Sequence, residues 1–378
     1  MKSVRLFAMM LAATAFAACE EDEEITGGGN GNGGNDSIPV VAAPVSSGVL
    51  ILNNGNTSSG IEGDFTTVDY AAGFSAASGR FAAVNGRSLG DTPNAACIYG
   101  NRIYTAVTSS NTVEVCAKDD FRSVKQISFA GNADLSQPRS VVGKDGYVYV
   151  SFFSGYVCKI DTLDFNVAGT VALGEGTYPE KIAIAGDKLY VPNSGYGSGT
   201  TVSEIDLATF AKTRDITVPV NPTQMATDAE GNVYLLCYGT YDASWNQIGA
   251  AVHRLDLATG NHVKVADATM MDIPQGTNML YVVNSPYGAS TVSYASVDLA
   301  QTPYNAVSLP VSADSPAAIA ADPVNGNIVL TSYNLENGFA SYSTPGYANI
   351  YNAAGELQKR VDTGVGPCGI YFFTEHLD

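Results

Sequence analysis

Apolar and polar residues alternate with a period of two along most of this chain, in short runs broken by Gly, Asn and Asp, the pattern of half-buried antiparallel strands joined by turns. The runs recur as a unit of about forty-five residues: a proline, an apolar stretch, a glycine turn, a strand centred on Tyr, a loop, and a strand ending in Asp. Copies open at Pro93, Pro138, Pro179, Pro222, near Ala268, at Pro316 and at Pro367. The second is the plainest, with Val141-Val142, the turn Lys144-Asp145-Gly146, the strand Tyr147-Val148-Tyr149-Val150 and the strand Val157-Cys158-Lys159-Ile160-Asp161. Near Ala268 the proline is displaced to Pro274, yet Met279-Leu280-Tyr281-Val282-Val283 and Ser296-Val297-Asp298-Leu299 keep the pattern. The sixth copy has Val329 in place of Tyr and ends on Ile350-Tyr351-Asn352.

Each copy has room for four strands, and such a unit cannot bury both of its faces alone. Radial stacking of the copies as a β-propeller covers both faces and leaves only short edges. The absence of apolar runs with a 3.6-residue period excludes helical and leucine-rich repeats. The copy at Pro367 supplies one strand before the chain ends, while Gly48–Asn56 and Asp64–Tyr70 have no proline-led strand before them. Pairing the two termini in one blade closes the ring without an open edge. The expected fold is therefore all-β: a seven-bladed propeller of four-stranded antiparallel blades over residues 48–378, closed by its N- and C-terminal strands.

The first residues follow a different grammar. Lys2 and Arg5 precede an apolar run from Leu6 to Ala17, and Ala-Phe-Ala-Ala leads into Cys19, which reads as a secretory signal over residues 1–18. The run is too short for a mature membrane-spanning helix. Small residues directly before a cysteine resemble the lipobox of bacterial lipoproteins, which implies lipidation at Cys19 and a membrane attachment through that anchor only. The acidic run Glu20–Glu24 and a Gly/Asn-rich stretch form a solvated tether over residues 19–47. An acidic run behind a lipidated cysteine also resembles the signal that sends some lipoproteins to the outer face of the outer membrane, so a cell-surface location is expected.

Removing residues 1–18 takes the formal charge from -18 to about -20, and no basic stripe offsets it, so nucleic acid is excluded as a partner. Five cysteines follow Cys19, an odd number without metal-ligand spacing. Most are expected to be small buried strand residues, in a setting that permits a disulfide. The three histidines stand in no zinc-binding context and no GxSxG elbow is present, so neither a metal, a cofactor nor a serine nucleophile is anticipated. Asp161, Asp206, Asp256 and Asp298 are carboxylates of a kind that glycosidases use, but their recurrence at one unit position points to capping of the turn that follows.

The units differ most between the Tyr strand and the Asp strand. There the chain places Phe152, Phe153, Tyr196, Tyr238, Tyr241, Trp245, Tyr287, Tyr333, Phe339 and Tyr342 among Asn, Ser, Gln and Gly. Because the insert occupies one topological position, these loops are expected on one face of the ring, around the channel. Aromatic rings interleaved with small polar groups suit a flat, partly polar ligand. These ten residues are the candidate binding site.

Tyr147-Val148-Tyr149-Val150, Leu189-Tyr190-Val191 and the Asp-Leu-Ala-Thr segments at Asp206–Thr209 and Asp256–Thr259 resemble the YVTN-type, YncE-like seven-bladed propellers. Val49–Asn56, with the Ser/Gly stretch and Val68-Asp69-Tyr70 behind it, is similar to the start of the surface-lipoprotein branch of that group. The resemblance spans about residues 48–374. That branch includes a cobalamin-capturing propeller that works beside a TonB-dependent outer-membrane transporter. The resemblance therefore implies a non-enzymatic capture protein with a corrinoid as preferred ligand and such a transporter as partner. A glycan would suit the same loops, and a propeller-type lyase or lactonase is the enzymatic alternative.

Overall fold

The computed structural model describes residues 43–376. The signal, Cys19 and nearly all of the tether lie outside the described residues. Seven four-stranded antiparallel sheets are arranged as the blades of a propeller, as the repeat predicts. Blade 2 has its strands at Pro138–Lys144, Tyr147–Phe152, Tyr156–Asp161 and Val167–Ala172, running outward from the channel. Blade 5, the weakest copy in sequence, is complete, with Met270–Asp272, Met279–Asn284, Ser293–Asp298 and Ala306–Ser308. Two short hairpins stand apart from the blades, Thr240–Tyr241 with Gln247–Ile248 and Leu335–Glu336 with Phe339–Ala340.

Ring closure follows the expected pairing. Pro367–Glu375 is the innermost strand of blade 7, and Val45–Asn53, Asp64–Asp69 and Ser75–Ser78 complete it from the other end of the chain. Leu50 pairs with Tyr371 and Ile51 with Ile370. The strand begins at Val45, three residues before the boundary expected at Gly48, because Val45 and Ser46 still find partners in Glu375 and Thr374.

The alternation of each strand is explained by two buried faces, one against each neighbouring blade. Val49 and Ile51 pack against Val329 and Ile350 of blade 6, while Leu50 and Leu52 pack against Ala96 and Ile103 of blade 1. Equivalent clusters fill the other five interfaces; Tyr149 meets Leu189, for example, and Tyr190 meets Leu235. Burial of this kind is worth about 25 cal/mol per Å² of apolar surface and is the main term holding the blades together.

The recurrent Asp residues serve the turns. Asp161 Oδ1 accepts the Leu163 N–H at 2.7 Å, Asp206 Oδ1 the Thr209 N–H at 2.8 Å, and Asp298 Oδ1 the Ala300 N–H at 3.0 Å. All five cysteines of the propeller are free thiols; Cys116, Cys158 and Cys237 are buried, and Cys97 and Cys368 half-buried. No helix among the described residues is long and apolar enough to cross a membrane.

Candidate ligand-binding face

The unit proline does more than open a strand. In blades 1, 2, 4 and 6 the ladder between the two innermost strands is interrupted just after it, at Pro93/Ala95, Pro138/Ser140, Pro222/Gln224 and Pro316/Ala318. Such a bulge leaves one residue unpaired and re-aims its side chain. The unpaired residues are Asn94, Arg139, Thr223 and Ala317, and Cys368 holds the same place in blade 7. Together with Glu180 they form a half-buried collar at one mouth of the channel.

The residue before the proline is the second part of this device. Thr92, Gln137, Tyr178 and Asn221 take left-handed backbone conformations, with φ of 57°, 59°, 48° and 61°. Each non-Gly residue held there costs on the order of 1 kcal/mol, and such outliers gather at binding sites. Their carbonyls accept the N–H of the first residue of the insert loop of the same blade: Gln137 O from Phe153 at 2.9 Å, Tyr178 O from Ser194 at 3.2 Å, Asn221 O from Tyr238 at 2.7 Å. Ser315 O receives Tyr333 in the same way at 3.0 Å. This clamp sets Phe153, Tyr238 and Tyr333 at equivalent places around the mouth.

The predicted aromatic residues form three groups rather than one platform. Between blades 2 and 3, Phe153 stands 4.8 Å from Tyr178 and 6.2 Å from Tyr196, and the Arg139 guanidinium lies 4.9 Å over the Phe153 ring. Between blades 4 and 5, Tyr241 is 6.3 Å from both Trp245 and Tyr287. In blade 6, Tyr333 and Tyr342 meet edge to face at 4.8 Å. Phe339 stands in the outer hairpin of that blade, 78% exposed.

Local hydrogen bonds show why the loops present these rings. Asp242 Oδ1 accepts the N–H groups of Ser244 and Asn246, folding a tight turn that carries Trp245 outward, 72% exposed. Gln247 is buried and joins two inserts, donating Nε2–H to Tyr238 O at 2.8 Å and accepting the Tyr287 N–H at 3.0 Å. Burial raises the Tyr238 phenol and pushes that of Tyr333 up to about 12, so both remain neutral hydrogen-bond donors at physiological pH.

Phe152 is a correction. The expectation placed it among the ligand-facing residues, but its side chain is fully buried between blades 1 and 2, edge-on to Phe129 at 4.9 Å. It is the last residue of its strand, and strand parity turns it into the core, while Phe153 one residue later reaches the mouth.

Three residues of the mouth escaped the sequence reading: Arg139, Glu180 and Tyr178. Arg139 Nε–H and Nη2–H both donate to Glu180 Oε2, at 3.0 and 2.8 Å. Burial raises the Glu180 carboxyl and Arg139 opposes that rise. All three residues adjoin a unit proline, in a stretch attributed to scaffold. The readable signal was that the positions on either side of the proline change from copy to copy while the proline itself is kept in every copy but the fifth.

Among the described residues no cluster of three or more His, Cys, Asp or Glu side chains stands close enough to hold a metal. The geometry offers instead a polar collar surrounded by clusters of edge-to-face and tilted rings, suited to gripping a ligand that extends over several blades.

No protein family model matches this chain, and no curated protein matches it in sequence. Solved structures resemble it in fold. The hydrazine synthase of Kuenenia stuttgartiensis superposes with a TM-score of 0.59 at 15% identity, over 76% of this chain and 96% of that one. A quinonprotein alcohol dehydrogenase-like protein from Bacteroides thetaiotaomicron VPI-5482 superposes with a TM-score of 0.61 at 15% identity, over 86% and 78%. At this identity the likeness concerns the propeller architecture alone.

Proposed function

We propose that this protein is a lipid-anchored, non-enzymatic capture protein of the cell surface, which holds a small molecule on the insert face and passes it to a TonB-dependent outer-membrane transporter. The observation that carries the reading is the gathering of aromatic rings from blades 2 to 6 on the face that the proline clamp organises. A ligand that touches several of these groups must be broad and partly flat, with hydrogen-bonding groups at its rim. A corrinoid meets that description: its ring can lie over the aromatic residues while its peripheral amides meet the collar and the loop Asn, Ser and Gln side chains. The leader, Cys19 and the acidic run behind it support anchoring at the surface.

The test is a titration with cobalamin, followed by visible absorbance and Trp245 fluorescence. Saturable quenching that weakens in Tyr241→Ala and Tyr333→Ala supports a corrinoid; no quenching and no co-migration at micromolar protein removes it. A glycan is the second reading, favoured by the exposure of Trp245 and Tyr287, whose rings are free to stack on sugar faces. A carbohydrate array that gives a signal where cobalamin gives none selects it. A lyase or lactonase would turn over its substrate, where a capture protein returns it unchanged.

A further inference from the structure

The turn that carries Trp245 is one half of a structure shared by two blades. Gln247 donates its backbone N–H to Tyr287 O at 2.9 Å and accepts the Tyr287 N–H on Oε1 at 3.0 Å, while its Nε2–H holds Tyr238 O at 2.8 Å. Gly288 lies so close that a Cβ there would stand 2.4 Å from Asn246 Oδ1. The hairpin of blade 4 is thereby fastened to the loop of blade 5. On this joint stand Tyr241, Trp245 and Tyr287, all exposed to solvent.

A contiguous set of exposed rings marks a binding surface, and these rings are also fixed in place. Trp245 is held at φ 64°, a left-handed conformation that costs on the order of 1 kcal/mol, by the turn closed through Asp242 and Asn246. Rings fixed before binding lose little freedom when a ligand arrives. Their tilt selects its shape. Trp245 is inclined at 49° to Tyr241 and Tyr287 at 74°, so no single flat body can lie on all three. A chain of small rings, each turned against the next, can meet them one by one. Tyr241 Oη, Tyr287 Oη, Trp245 Nε1–H and Ser244 Oγ bond to no other group among the described residues, and so are free for the rim of a guest. Neither insert, 238–250 or 284–292, contains a Lys or Arg. Its one acid is Asp242, whose carboxyl the Asn246 amide and the turn N–H groups hold below the usual carboxylate range. An anionic guest finds no partner here.

We propose that Tyr241, Trp245 and Tyr287 form a saccharide subsite of the insert face for a neutral oligosaccharide, with Gln247 as the positioning residue that keeps the rings of two blades in register. This rests on the glycan reading of that face and names the class of sugar and its contacts. Each aromatic ring takes the apolar face of one sugar unit, and the free phenol, indole and hydroxyl groups bond its hydroxyls.

Calorimetry and Trp245 fluorescence on the whole chain test this with linear hexasaccharides of glucose, mannose and xylose and with the acidic hexagalacturonate. At least one neutral hexasaccharide is expected to bind saturably and shift Trp245 emission, with its monosaccharide at least about tenfold weaker because it meets one ring. Tyr287→Ala and Trp245→Ala remove exposed side chains, so both should fold and each lose roughly tenfold in affinity, the second read by calorimetry alone. Gln247→Leu should keep a cooperative melt and a native circular dichroism spectrum, yet lower the fluorescence anisotropy of Trp245 and weaken binding about tenfold. Silence of all three neutral hexasaccharides at millimolar concentration, equal binding of hexagalacturonate, or undiminished binding by Tyr287→Ala would overturn the subsite. Undiminished binding by Gln247→Leu would overturn its positioning role. Cobalamin titrated in parallel separates the failures: capture of cobalamin but of no sugar removes this subsite and leaves the insert face a capture surface, whereas no response to either removes both.

Discussion

Replacing Arg139 with Gln isolates the electrostatics of the collar. The change removes two charge-assisted hydrogen bonds to one oxygen of Glu180, and the guanidinium that lies over Phe153. Breaking a fully buried ion pair costs about 3–5 kcal/mol, because one charge is left without its partner. Here the side chains are 23% and 15% exposed, so water recovers part of the loss. A cost of about 2–3 kcal/mol at pH 7 follows, including ~0.5–1 for the cation–π contact. For a domain of this size that lowers Tm by about 3–4 °C. The deficit must also depend on pH. Glu180 holds its proton more tightly folded than unfolded, since burial raises its pKa above the ordinary 4.5, and loss of Arg139 raises it further. Between the unfolded and folded values the folded state then binds more protons, so stability falls as pH rises through that window. The gap between wild type and Arg139→Gln should therefore be full at pH 8 and shrink toward pH 4.5. Differential scanning calorimetry across this range reads it directly. Arg139→Gln/Glu180→Gln should recover most of the loss, because no charge is left buried. An equal deficit at both ends of the range, or additive single and double mutants, would refute the reasoning.

Phe152→Ala, which empties a packed site between blades 1 and 2, should cost about 3–5 kcal/mol in chemical unfolding, whereas Phe153→Ala should cost far less and act on ligand capture. Trp245 should emit as a water-exposed indole and be quenched readily by neutral acrylamide, but less by iodide, which the acidic protein repels. The propeller thiols should react slowly with a thiol reagent in the native state and fully after unfolding. Burial pushes the pKa of Cys97 up to about 11 and those of Cys116, Cys237 and Cys368 to about 12, which leaves little thiolate at pH 8.

The architecture was legible in the chain because it rests on local, repeated signals. Period-two alternation marks strands, Gly and Asp mark turns, and the mismatch between the proline-led strand at Pro367 and the unaccompanied strands after Gly48 marks the closing blade. The exposed aromatic residues of the inserts were legible for the opposite reason, since they interrupt the repeat. Three things depended on the assembled ring. Parity at the strand end sends Phe152 to the core and Phe153 to the mouth, and one residue of register decides between them. The bulge behind the unit proline turns Arg139 into the channel, where it meets Glu180, forty-one residues away in the chain. Lys181 lines a cavity that no single unit contains. Local alternation and turn chemistry act within one unit and are written in it, whereas the channel is formed by seven units at once, so partners such as Arg139 and Glu180 meet only when the ring closes.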